Sequence, residues 1–594
     1  MPDRTRRRLL RSLGLAGAVG LAGCAGDDEP NHAETEENEP PSRSERWTTV
    51  TRTPATTLVP HRAIDDASRA RLDLVMDGAY AITPDRELFP LWLAVEVLDG
   101  GQVYEATLRE GLRWGDPYGR MTAADWVYHI REVHQGEGNW AGSWLAEAWA
   151  GAAVDRTGER SFEIELPEPN TQFPYEPALR ASRCLPRELL EPYAEERDRE
   201  GLENDDDLAR LAYTGNLGPY TPERWERGER FVAARNDDYY MRNVENASTV
   251  WEGAPYFEEY EYRVLASERD RLQALRDGTA TAAVVPPARL EQFRGNGRVS
   301  LYAVPEPTLT LLAYNQRANG WRPFRRREVR QACSMAVDKE ALAEEVYDGF
   351  AEPIHTFQPP WSTWDGTELR PFGRQDAEED EDVSALLEAA LGEDFGYDDG
   401  RLLDAEGEPV TWTLVHPGES GRTTPLASFL VRELERLGVG VEAQGVGYER
   451  LLSEHLANRW QGEGDPPWEA GEYNAGPRGG TESAAEWDLL CGVGLNASPL
   501  APTATDRFWL ERGSMNFSGY VPDAELTALY AEARAATSES ERDARLDGVF
   551  GALNQEQPAN FLVARRTPVG YRRGIAGPRE TLNYDWDRQT WYAE

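Results

Sequence analysis

The chain has 594 residues, enough for two or three domains with sizeable cores, and a formal net charge of −42 from 63 basic and 105 acidic residues. The acids are spread along the whole sequence rather than gathered in one tail, and Lys339 is the only lysine. That balance excludes a generic nucleic-acid or anionic-membrane binder, which needs a basic face.

The first element in chain order is RRRLLRSLGLAGAVGLAGC, from Arg6 to Cys24. Its uncharged apolar run, residues 12–23, is shorter than the roughly 20 residues a spanning helix needs. A charged start, a short apolar middle and a small-residue end mark an export signal. Thr5-Arg6-Arg7-Arg8-Leu9-Leu10-Arg11 resembles a twin-arginine signal. Leu21-Ala22-Gly23-Cys24 resembles a lipobox, with cleavage before Cys24 and a lipid on its thiol. Residues 1–23 are therefore read as a signal peptide. Residues 24–46 are acidic, rich in Pro and Ser and nearly free of apolar side chains, and are read as a disordered linker. Without the five Arg and single Asp of residues 1–23, the mature chain stands near −46. Such spread acidity with scarce lysine resembles proteins of salt-loving archaea; at ~1 M salt the Debye length is ~3 Å, so these charges repel little. Cys184, Cys333 and Cys491 are an odd number, widely separated, and argue against a disulfide framework.

Further on, Val103, Glu105 and Thr107 alternate as a strand, and Thr122 is placed as the N-cap of a helix carrying Ala124, Val127, Tyr128 and Arg131. Residues 161–166 alternate as another strand. Asp338 is placed as an N-cap of a helix that buries Leu342, Val346 and Tyr347 and ends at Gly349. Val410, Trp412 and Leu414 alternate, Leu426, Phe429, Leu430, Leu434 and Leu437 share one helical face, Gly438 stops that helix, and Val439, Val441 and Ala443 alternate again. This strand–helix–strand unit predicts a parallel pair and an α/β protein. Residues 462–485, rich in Gly, Pro and Glu, read as an exposed loop.

Five blocks in one order carry a resemblance. They are LWLAVEVLDGGQVYEATLREGLRWGDPYGRMTAADWVYHIREV (91–133), TGNLGPYTPERWERGERFVAARNDDYY (214–240), RDRLQALRDGTATAAVV (269–285), PFRRREVRQACSMAVDKEALAEEVYDGFAEP (323–353) and the stretch from NFSGYVPDAEL to NFLV (516–563). Together they resemble the extracellular solute-binding proteins of peptide-type ABC importers, over nearly all of the mature chain. The resemblance implies a two-lobed, type II periplasmic-binding-protein fold with an extra subdomain on the first lobe and two crossing strands as hinge. It implies lobe I over 47–310, with the extra subdomain at about 88–213, lobe II over 311–559, and a return to lobe I over 560–594. It further implies a monomeric, exported, lipid-anchored receptor at the outer face of the cytoplasmic membrane, working with a permease and an ATPase. Its ligand would be an oligopeptide, or else a non-peptide solute such as a saccharide or a metal complex.

Nothing reads as catalytic. There is no HExxH, no GxGxxG after a strand and no Walker loop, and GESG at 418–421 is not a GxSxG elbow. The 7 histidines are scattered, with His129 and His134 five apart and off one α-helical face. An exported hydrolase is the alternative from another class. No cofactor and no metal site are expected.

By the same resemblance, one wall of the ligand cleft is Met76-Asp77-Gly78-Ala79-Tyr80, and the other is Cys491-Gly492-Val493-Gly494-Leu495-Asn496. Backbone groups on such walls pair with an extended peptide as an added strand, and Gly492 and Gly494 let it approach closely. Asn496 stands where peptide binders of the family usually carry an aspartate for the ligand's α-amino group. Either another acid takes over, with Asp77 the nearest candidate, or the ligand has no free ammonium. Of the 19 tryptophans, Trp361 and Trp364 lie in a loop the family places near the cleft. Asn315 lies in the strand taken as the first hinge crossing. His416 opens the loop 416–421 at a strand's carboxyl end, where open α/β sheets bind ligands.

Overall fold

The computed structural model describes residues 44–594, apart from 244–248, 294, 365, 367, 375–382 and 419–422. The signal and lipobox readings, Cys24 included, and residues 419–421 of the loop after His416 lie outside the described residues.

Strand and helix periods place the elements where the side chains demand them. Trp412 and Leu414 face one core from the strand Thr411–Pro417. The helix Thr423–Leu434 buries Leu426, Phe429, Leu430 and Leu434 as one stripe. Each such side chain contributes about 1.5–3 kcal/mol relative to exposure, so the stripe fixes the helix on the sheet. Gly438, at φ 72°, closes the turn in the left-handed region. The chain then returns as Gly440–Val446, parallel to the first strand, with Thr411 opposite Gly440. Asp338 accepts a hydrogen bond from the Ala341 amide at 2.8 Å and starts the helix Lys339–Glu345. That helix stops four residues before Gly349, and Val346 is only half-buried. Thr122 and Asp125 form the reciprocal capping box of the helix Ala123–His129.

A 12-stranded mixed sheet runs through the molecule. Its path is Gly440–Val446, Thr411–Pro417, Leu489–Cys491, Val299–Tyr314, Ala559–Arg572, Ala282–Val284, Ser44–Thr51, Phe257–Val264, Arg230–Arg235 and Tyr220–Glu226. Apolar side chains gather on two sides of its middle. One side holds residues 47–299 with 571–591, around Trp92, Trp126 and Trp149. The other holds residues 309–564, around Trp412 and Trp487. A separate four-stranded antiparallel sheet, in the order Leu93–Asp99, Val103–Leu108, Ser161–Glu165, Ala153–Arg156, packs into the first side. These are two α/β lobes.

Among the described residues, only two long strands pass between the lobes, Val299–Tyr314 and Ala559–Arg572, antiparallel to each other. Residues 299–305 pair with 566–572 and residues 309–313 with 559–564, and the register shifts between Pro305 and Leu309. Pro305 and Pro307 explain the break: neither has an N–H to donate, so the ladder is interrupted there and the chain can bend. Cys184, Cys333 and Cys491 are free and buried.

The Gly- and Pro-rich stretch 462–485 is not simply an exposed loop. Arg317, buried in lobe II, donates to the carbonyls of Tyr473 and Gly476 and to the side chains of Asn474 and Thr481. Asn474 and Thr481 are themselves buried. One guanidinium thus pins a segment whose composition signals solvent.

Candidate functional site

The site is built at the strand crossing. Glu306 sits in the break between Pro305 and Pro307. Its carboxylate accepts from Arg565 Nη2 at 2.6 Å, from Thr308 Oγ1 at 3.3 Å and from the Thr567 hydroxyl, so it ties the two crossing strands together. Its carbonyl accepts the Trp361 indole N–H at 3.0 Å. The Arg566 guanidinium lies over that indole ring, 4.7 Å from its centroid, and also pairs with Glu352 at 3.0 Å. Asn496, exposed, pairs in register with Thr308, and Gly494 runs alongside Thr308. The structure therefore brings Trp361, Gly494 and Asn496 together where the lobes meet.

The lobes also touch at two rims. Arg86, at the tip of a short hairpin and in the left-handed region at φ 65°, donates to the carbonyls of Ser362 and Thr363 at 3.0 and 3.2 Å. On the other rim, the Thr171 amide donates to the Arg534 carbonyl at 2.9 Å. The Gln172 side-chain oxygen accepts both the amide and the hydroxyl of Thr503, at 3.2 and 2.7 Å. None of Arg86, Thr171, Gln172, Glu306 or Arg565 carries a sequence signal; each acts through a partner far along the chain.

Several expected cleft residues are placed elsewhere. Met76 is fully buried in the lobe I core, its sulfur accepting the Tyr213 hydroxyl at 3.4 Å; an apolar side chain flanked by a helix end goes inward. Trp364 belongs to the lobe II core, its ring centroid 4.7 Å from that of Phe550 in a tilted pair, and its indole N–H donates to Asp547 at 3.0 Å. Val493 is core as well. Asn315 is buried and structural, donating to the Trp487 carbonyl and accepting the Arg317 amide. His416 is buried beside Gly445 with Nδ1 3.3 Å from the Pro417 carbonyl oxygen. Gly492 is needed as glycine: its φ is +80°, and a Cβ would stand 2.7 Å from the Thr423 methyl. Gly494 has ordinary contact distances and no positive φ.

Gly78 is half-buried, and Asp77 beside it is buried. Asp77 takes both of its side-chain bonds on Oδ2, from Tyr239 at 2.7 Å and Tyr240 at 2.8 Å. Burial pushes its carboxyl up to about 7, against the pull of the two tyrosines and Arg183. Asn496 uses its side-chain oxygen to accept the Ser498 amide at 2.8 Å, an Asx-type turn. Neither group is a free carboxylate waiting for an ammonium.

The histidines are not all scattered. His61, His129 and His134 are buried together in lobe I, with ring centroids 6.3 Å apart for the first pair and 4.8 Å for the second. The helix that carries His129 passes into a π-turn over Ile130–His134, in which residues five apart share a face. His134 is bonded to the hydroxyls of Ser143 and Ser182, while both ring nitrogens of His61 and of His129 have no hydrogen-bond partner among the described residues. Burial holds all three neutral, with His61 and His134 lowered to about 3. Among the described residues, no group of three or more His, Cys, Asp or Glu is placed to hold a metal ion, and no helix is long and apolar enough to cross a membrane.

The family model of bacterial extracellular solute-binding proteins, family 5, matches residues 89–482. The chain belongs to this family. It is thus a solute-binding protein rather than an enzyme, and the two lobes with crossing strands are the family's type II periplasmic-binding fold. The oligopeptide-binding protein AppA of Bacillus subtilis is 21% identical over 79% of this chain and 76% of its own length. The solved structure of that protein with a nonapeptide superposes with a TM-score of 0.69 at 18% identity, covering 93% of this chain and all of that one. NikZ from Campylobacter jejuni, solved with Ni(L-His), superposes with a TM-score of 0.68 at 18% identity, covering 92% of this chain and 99% of that one.

Proposed function

We propose that this family 5 member is the exported, lipid-anchored receptor of an ABC importer, capturing an oligopeptide between its lobes and passing it to a membrane permease. The observation that carries the reading is the crossing. Two strands tied by Glu306, flanked by the partly exposed edge at 494–496 and bridged at both rims, suit a hinge between two lobes that close on a ligand. Gly494 and Asn496 are exposed on either side of the buried Leu495, an edge that suits main-chain pairing with a peptide. The relative named for oligopeptide binding and solved with a nonapeptide supports the same ligand class.

A second reading, a non-peptide polar solute on the same scaffold, is favoured by one observation: Asn496 brings no charge and its oxygen is already used. The relative solved with Ni(L-His) shows that the fold admits such a ligand. Titrating the mature chain with peptides of three to nine residues, followed by tryptophan fluorescence, separates the two. Saturable quenching or enhancement by peptides is expected. A response to sugars or metal chelates and none to peptides selects the second reading. For the anchor, Cys24→Ser is expected to release the protein into the medium; continued membrane attachment of that variant contradicts lipidation.

A further inference from the structure

The two rims where the lobes touch belong to one seam, and its centre is dry. Gln172 of lobe I and Thr503 of lobe II are 1% and 0% exposed, although they sit on different lobes. The Gln172 side-chain oxygen accepts both the amide and the hydroxyl of Thr503. Beside it, the Thr171 hydroxyl donates toward the Arg534 and Ala536 carbonyls, at 3.1 and 2.9 Å. Arg534 is itself fixed, paired with Asp506 at 2.6 Å and donating to the Thr503 carbonyl at 2.9 Å. Glu176 of lobe I lies near Arg534 and Arg507 of lobe II; burial raises its carboxyl, and the Asn170 amide and those two charges oppose the rise. Tyr175 carries the seam onward. Its hydroxyl donates to the Arg86 carbonyl at 3.3 Å and lies in the field of Arg542 and Glu539 of lobe II. Arg86 then holds the Ser362 and Thr363 carbonyls.

The bonds across this seam take donor and acceptor from the chain itself, so closure there uses no ligand atom. Both faces are also built in advance, which lowers the ordering cost of bringing them together. On lobe I, the Arg86 amide donates to the Thr83 carbonyl at 2.9 Å and the Glu87 amide to the Thr83 hydroxyl at 3.1 Å, which sets the hairpin tip. On lobe II, the Ser362 hydroxyl donates to Gln358 at 2.6 Å, and the Thr363 amide to the Pro499 carbonyl at 2.7 Å. Opening the lobes exchanges each bond for one to water, so a single bond is worth about a 2- to 10-fold bias toward the closed form. Several bonds that break together multiply that bias, and a lobe-to-lobe equilibrium needs only a few kcal/mol of difference to be one-sided.

We infer that the Gln172–Thr503 pair and Arg86 form a clasp that holds the lobes closed through the protein's own contacts, whatever solute lies between them. The clasp slows the release of every solute by the same factor and leaves the choice among solutes to the cleft walls. The inference needs the lobes to move about the crossing strands but not any particular ligand. It is tested by single-molecule energy transfer with no solute added, on the mature chain carrying Cys24→Ser. Dyes are placed at Glu110→Cys on lobe I and Glu406→Cys on lobe II, both exposed, while Cys184, Cys333 and Cys491 are buried. The native chain is expected to show one dominant high-transfer population. Gln172→Leu is expected to shift the closed-to-open ratio about 10-fold toward open, and Arg86→Ala, at an exposed side chain, about 3-fold. Thr503→Val, which removes one of the same bonds from the lobe II side, moves the ratio in the same direction, so a folding defect in one variant does not decide the matter. Native circular dichroism is checked for each. A native chain that is mostly low-transfer overturns the clasp, as does a ratio unchanged in Gln172→Leu and Thr503→Val alike. A failure of peptides to bind would remove the peptide reading without altering these ratios.

Discussion

Arg317→Met is expected to destabilise lobe II by on the order of 3–5 kcal/mol. The guanidinium is buried with no carboxylate near it, and desolvation alone lowers its pKa to about 9. It nonetheless serves six acceptors, the carbonyls of Tyr473, Gly476, Asn516 and Phe517 and the side chains of Asn474 and Thr481. Two effects oppose each other in the variant. Removing a desolvated cation relieves part of its burial cost, which is on the order of several kcal/mol. Leaving six buried acceptors unpaired costs about 1–3 kcal/mol apiece before relaxation. The second effect wins, and segment 462–485 loses its anchor. Urea unfolding followed by tryptophan fluorescence reads the change as a midpoint lowered by roughly 1 M for a slope of about 3 kcal/mol/M. A midpoint moved by less than a quarter of that contradicts the role given to Arg317.

The second large effect is a pH dependence. His61, His129 and His134 are neutral in the fold because burial lowers their pKa, whereas in the unfolded chain they titrate near 6.5. The folded pKa is depressed for a base, so the unfolded state binds more protons below pH 6.5. Stability from these groups is present above that pH and is lost as pH falls toward 3. Each contributes a slope of about 1.4 kcal/mol per pH unit, so from pH 6.5 to 5 each loses about 2 kcal/mol. Asp77, raised to about 7, works in the opposite sense and gains stability as pH falls below 7. A difference measurement isolates the histidines. The His129 ring has no hydrogen-bond partner among the described residues, so His129→Leu is expected to gain about 2 kcal/mol more over the native chain at pH 5 than at pH 7.5. Equal differences at the two pH values would place His129 outside a buried, neutral environment.

How much of this was legible in the sequence depended on whether the signal was local. The unit from Thr411 to Val446 was legible because strand and helix periods, and Gly438 at the stop, are properties of consecutive residues. Caps at Thr122 and Asp338 were legible for the same reason. The order of the five blocks pointed to the two-lobed fold. The histidine trio was not legible, because an α-helical period puts residues five apart on different faces and the π-turn at Ile130–His134 changes the period. Trp361 and Trp364 look equivalent in one loop, yet one faces Arg566 at the crossing and the other packs on Phe550; a three-residue offset turns a side chain from rim to core. Met76 and Asn315 sit next to the wall and the crossing in sequence but point into the cores. Glu306 belongs to no motif: it is defined by partners more than 250 residues away, at Arg565 and Thr567.

The central claim is that a solute is held between the lobes, against both walls at once. Hydrogen–deuterium exchange of the mature chain, with and without a saturating peptide, tests it most directly. Protection is predicted together in lobe I, at 76–80 and 170–183, and in lobe II, at 361–364 and 490–498. Protection confined to one lobe, with the peptide demonstrably bound, would contradict it.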